Sequence, residues 1–259
     1  MRSARRRRGP NAGLVLLFAS LAPPFAVAAP EEIQVYLDDL TPPGRFGLDV
    51  HNNLAFDSRS TADYPGARPP DGVYRLTPEF YYGLSPSIEL GLYVLGAFDR
   101  DTSPHVDGEK LRIKYVPVRA EKTGVFYGLN LEIGRSGVAV AEHPWNIELK
   151  EILGVRSEHW LAAVNLNEDT PAFPRHGAAA LDLDTKLAWR RDDKTQYGIE
   201  LYNELGPLGH FGYLHESSEM LYGVIDTQVR SIDLNIGIGR GLTAGSDGWV
   251  VKAIVGLHF

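Results

Sequence analysis

Residues 249–259 read WVVKAIVGLHF. Trp249, Val251, Ala253, Val255, Leu257 and Phe259 share one parity, and Lys252 falls on the other. Successive side chains of a strand point to opposite faces, so this alternation predicts a strand with one apolar face. Just upstream, IDLNIGIG (232–239) sets Ile232, Leu234, Ile236 and Ile238 against Asp233, Asn235 and Gly237. A helix would need apolar residues three and four apart, and neither stretch supplies that spacing.

The same period recurs through most of the chain. RFGLDVHNNLAF (45–56) places Phe46, Leu48, Val50, Leu54 and Phe56 opposite Asp49, His51 and Asn53. In VYRLTPEFYYGL, Tyr74, Leu76, Phe80, Tyr82 and Leu84 alternate with Arg75, Thr77, Glu79 and Tyr81. IELGLYVLGAF, KLRIKYVPV, VFYGLNLEIG, WNIELKEILGV, LDLDTKLAWR and QYGIELYNE behave alike; HWLAAVNLN is weaker, and EMLYGVIDT has no clear phase. The count is twelve strands of about ten residues, the length that crosses an outer membrane when tilted.

Breaks at Gly, Pro, Asp and Ser clusters give longer connections at 57–71, 99–109, 135–144, 168–179, 205–218 and 242–248. Shorter ones fall between them at 84–87, 119–124, 156–159, 191–194 and 228–231. Long and short alternate throughout, as in outer-membrane barrels with an even strand number. A soluble β-sandwich also alternates polar and apolar residues, but its loops need not alternate in length.

Composition narrows the classes further. The chain has 259 residues, 44% of them hydrophobic, and no cysteine. That excludes disulfide frameworks and thiolate metal sites, and the apolar share is too high for a disordered chain. Residues 1–28 read as a cleaved signal peptide: a basic run (Arg2, Arg5 to Arg8), an apolar stretch (Gly13 to Ala22) and a small-x-small site at Ala26-Val27-Ala28. Its removal takes away five arginines and no acid, moving the formal charge from −7 to −12. An acidic mature chain does not suit nucleic acid, whose phosphates need a basic face. Residues 29–44 form an acidic periplasmic segment ended by Pro42-Pro43, which either tucks into the lumen as a plug, lies across its mouth, or trails as a mobile leader.

The two faces then decide the fold class. In a soluble barrel the apolar parity packs inward; in a membrane barrel it meets lipid and the polar parity lines the lumen. Export, together with aromatic residues near strand ends on the apolar face (Phe46, Phe56, Tyr74, Trp145, Trp160, Trp189, Trp249), favours the membrane. The expected fold is an all-β, antiparallel up-and-down transmembrane barrel of about twelve strands over residues 45–259. Its partners are outer-membrane lipid, a small solute, and the barrel assembly machinery, whose recognition signal the terminal Phe259 resembles.

The predicted pore lining carries both signs. Asp49, His51, Arg75 and Glu79 come from the first two strands; Arg112, Lys114, Glu132, Glu148 and Lys150 follow. Asp182, Asp184, Lys186, Glu200, Glu204 and Lys252 complete the set. Such a lining suits either a polarised water-filled pore or a network of internal ion pairs that fills the barrel. His51 reads as hydrogen-bonded scaffold. His105, His143, His176, His210 and His215 fall in long loops, but their spacing marks no metal site. GIGRG (237–241) has no helix after it to hold a phosphate, so no cofactor is implied and Gly237 and Gly239 read as room for a bulky neighbour. No G-x-S-x-G elbow is present, and no catalytic set is assigned. The functional expectation is a channel or transporter for a small solute. The alternative is a lipid-acting barrel enzyme of lipase or deacylase type, with a structural or adhesive barrel third.

The segments EIQVYLDDLTPPGRFGLDVHNNLAF (32–56) and DLNIGIGRGLTAGSDGWVVKAIVGLHF (233–259) resemble a group of proteobacterial outer-membrane transporter-like proteins, near the MetA-pathway phenol-degradation family. The resemblance implies a barrel that passes small molecules, aromatic ones among them. It brings no catalytic or binding residues with it.

Overall fold

The computed structural model describes residues 32–99, 104–173, 178–209 and 217–259. The expected signal peptide and residues 29–31 lie outside these, as do His176, His210 and His215. Twelve strands follow in chain order: β1 (Phe46–Phe56), β2 (Tyr74–Ser85), β3 (Ile88–Phe98), β4 (His105–Val118), β5 (Gly124–Ser136) and β6 (Trp145–Arg156), then β7 (Trp160–Phe173), β8 (Ala180–Arg190), β9 (Thr195–Pro207), β10 (Glu219–Val229), β11 (Ile232–Gly241) and β12 (Trp249–His258). Each pairs antiparallel with its neighbours in sequence. β12 then returns to β1, from Gly47 opposite His258 to Phe56 opposite Trp249, and the sheet closes without an edge. Closure matters because lipid offers no partner for an unpaired backbone group.

The predicted phase holds along each strand. Leu111, Leu131 and Ile236 are 58%, 45% and 50% exposed, whereas Glu79, Glu200 and Lys252 are 1%, 1% and 2% exposed. That distribution inverts a soluble protein and is the signature of a wall with lipid outside. Exposed aromatics gather at both strand ends, with Phe46, Trp160 and Trp189 at the short-turn end and Phe56, Trp145 and Trp249 at the long-loop end. The unphased stretch resolves with Leu221 and Ile225 outward and Tyr222 and Val224 inward. Inward-facing Gly239 does make room: a Cβ there would lie 2.5 Å from the ring of Tyr222.

The strand ends differ from expectation. β4 begins at His105, β5 continues to Ser136 and β7 to Phe173, so the connections 99–109, 135–144 and 168–179 are shorter than the sequence breaks suggest. Those breaks fall at residues that disfavour strands, but antiparallel pairing is made by the backbone. Glu168 and Asp169 stay paired with Leu149 and Glu148 of β6. Long and short connections still alternate, which defines a short-turn end and a long-loop end of the barrel.

Candidate functional site

The lumen contains a piece of its own chain. Residues 32–44 run through the interior from Ile33, which lies toward the long-loop end, to Gly44 at the short-turn end. Pro42-Pro43 ends the segment, Gly44 takes φ +78°, and the Gly44 amide donates to the Gly83 carbonyl at 2.8 Å. Gly83 is required there, since a Cβ would fall 2.3 Å from the Pro42 carbonyl oxygen. The Thr41 amide donates to Glu89 (2.7 Å). Asp38 accepts from the Ala120 amide (2.8 Å) and pairs with Arg156 (2.6 Å).

The middle of the segment is held by its backbone. The Asn165 side chain accepts from the Tyr36 amide (2.6 Å) and donates to the Tyr36 carbonyl (3.1 Å), the two bonds a neighbouring strand would make. The Tyr36 hydroxyl meets the Tyr93 hydroxyl and Glu32, each at 2.6 Å. Arg112, Lys114 and Lys150 approach the Tyr36 ring to 5.7, 5.2 and 4.4 Å from its centroid, within cation–π range. Nearer the long-loop end, Lys252 donates to the Ile33 carbonyl (2.9 Å). Two small apolar clusters grip the segment. Val35 and Tyr36 pack with Phe126, Ile152 and Leu161 near the short turns, and Ile33 packs with Tyr222, Val224 and Val250 beyond.

Every residue predicted to line the pore is placed on the interior parity. His51, Arg75, Glu79, Arg112, Lys114, Glu132, Lys150, Asp184, Lys186, Glu200 and Lys252 are buried; Asp49, Glu148, Asp182 and Glu204 are half-buried. Most are joined in ion pairs. Arg112 bridges Glu79 (2.7 Å) and Glu89 (2.5 Å), while Glu200 takes Lys186 (2.9 Å) and Lys252 (2.5 Å), and Lys186 continues to Asp226 (2.8 Å). Lys150 pairs with Glu148 (3.2 Å), and Asn167 donates to Asp184 (2.7 Å). The lining is thus a paired network around an occupant. Among the loop histidines, His105 contacts Arg68 and lies 3.4 Å from Asp107.

Sequence reasoning missed Glu32, Tyr36, Asp38, Tyr93, Arg156 and Asn165 as members of the site. A signal for the gripping surface was present: Phe126, Ile152 and Leu161 are apolar residues on the parity that should be wet.

No protein-family model matches the chain, and no curated protein matches it in sequence. Solved structures do match in shape. The COG4313 outer membrane channel from Pseudomonas putida F1 superposes with a TM-score of 0.62 at 12% identity, over 88% of this chain and 100% of that one. KdgM porin gives 0.54 at 11% identity, over 82% and 99%. NanC porin gives 0.53 at 10% identity, over 81% and 97%. This chain has the fold of outer-membrane channel barrels.

Proposed function

We propose that the protein is an outer-membrane channel of a Gram-negative cell, closed in this conformation by its own residues 32–44 and open to a small solute when they are displaced. The carrying observation is the segment itself, which occupies a charged interior through contacts that reach most of the way along the barrel. The likeness to solved channels supports the reading at the level of fold. The cargo class follows from Tyr36: displacing its ring uncovers Arg112, Lys114 and Lys150, cations placed to receive the face of another aromatic. Small aromatic solutes are therefore the first candidates. Phe259, 61% exposed at the end of β12, is the point where the assembly machinery would take hold.

Planar-bilayer recording tests the channel. The intact protein should open rarely, and a form lacking residues 32–41 should conduct persistently. Two silent barrels, correctly folded by heat-modifiable gel mobility, would sink the proposal. Fatty-acid release from outer-membrane lipid by the purified barrel would instead support the enzyme.

A further inference from the structure

We propose that Glu32 of the lumen segment, His51 of β1 and Glu79 of β2 form a binding site for a divalent cation of the zinc type, which clamps the segment to the barrel wall. One ligand atom from each lies within 4.8 Å of the others. Imidazole with two carboxylates is a donor set that suits zinc.

His51 is poorly partnered where it sits. The ring is 1% exposed, and its Nδ1 has no hydrogen-bond partner. Its Nε2 lies 3.4 Å from Glu79 Oε2, too long for a good hydrogen bond. A tetrahedral ion with bonds of about 2.0–2.1 Å separates its ligands by about 3.3–3.4 Å. The His51–Glu79 spacing therefore matches one edge of a zinc tetrahedron, with Nε2 as the ligand atom. An ion there replaces the poor contact at Nε2, which is otherwise costly for a buried ring.

Both carboxylates are already oriented from behind, as metal-ligating carboxylates commonly are. Tyr36 donates its hydroxyl to Glu32 (2.6 Å), and Arg112 pairs with Glu79 Oε1 (2.7 Å), leaving Oε2 toward His51. Arg112 is shared between Glu79 and Glu89, so it holds Glu79 from the side away from His51. One ligand comes from the segment and two from the wall, so binding ties the two together.

Ion binding can be measured without conductance. The purified barrel in detergent is titrated with Co²⁺, read by its absorption bands, and with Zn²⁺ by equilibrium dialysis and metal analysis. The expected result is one ion per chain, held about ten-fold or more weakly in Glu32→Gln and in His51→Gln. Glu32 is part of no strand, so the barrel still closes in Glu32→Gln, and heat-modifiable mobility checks both variants. No uptake by the intact protein overturns the site, as does uptake that survives Glu32→Gln. The gating consequence rests on the channel reading: chelation should raise the open probability in bilayers. Uptake without any conductance would sink the channel and leave the clamp standing.

Discussion

The two ends of the lumen segment are held by different physics. At the short-turn end the contacts are charge-assisted: Asp38 with Arg156 and the Ala120 amide, and Thr41 with Glu89. Toward the long-loop end, Ile33 has one Lys252 hydrogen bond and a small apolar cluster. Buried ionic contacts are expensive to break singly, whereas an apolar cluster of this size yields piecemeal. The difference describes a strap with a fixed root and a releasable tip. With no ion at Glu32, opening should therefore start at Ile33 and proceed toward Asp38.

Substitutions should separate the root from the tip. Removing residues 32–41 abolishes both ends, and single-channel recording should show conductance raised many-fold over the intact barrel. Arg156→Ala leaves Asp38 buried without its cation, which costs about 3–5 kcal/mol. Hydrogen exchange at the Thr41 and Tyr36 amides should accelerate accordingly; unchanged exchange would mean the root is not ionic. Asn165→Leu removes two backbone bonds at about 0.5–1.5 kcal/mol each, and should free the middle of the segment while Thr41 stays protected. Lys252→Met removes one bond to Ile33, about 1 kcal/mol, and should loosen the tip alone, since Glu200 keeps Lys186.

The smallest effect is one of pH at the long-loop end. Burial raises the Asp247 carboxyl above its ordinary range, opposed by the Ser58 hydrogen bond and Arg59. The folded loop thus binds the proton more tightly than the unfolded chain. Acidification through that raised range should stabilise the loop 242–248, and stability should fall as pH rises through it. Exchange protection of the loop, compared with Asp247→Asn, measures the slope.

How much of this could be read beforehand depends on the range of the interaction. Wall phase is local: Glu79 next to Phe80 already says which faces inward, and strand pairing of sequential neighbours follows from the alternating loops. The occupant of the lumen depends on pairs such as Tyr36 with Asn165, 129 residues apart, which no periodicity records. Sequence left residues 29–44 open among plug, mouth cover and mobile leader, because Pro42-Pro43 states only that the segment stops. The strand ends were misjudged for the converse reason, since ladder bonds continue through Glu168 and Asp169 whatever their side chains prefer.

Asn165 holds main-chain atoms at position 36, and main-chain atoms are common to every residue except for proline's missing N–H. Those two bonds would survive replacement of Tyr36 by almost anything, while a change at 165 would lose both. Recognition of the strap at this point is therefore written into the wall, and the strap is free to diverge in sequence without letting go.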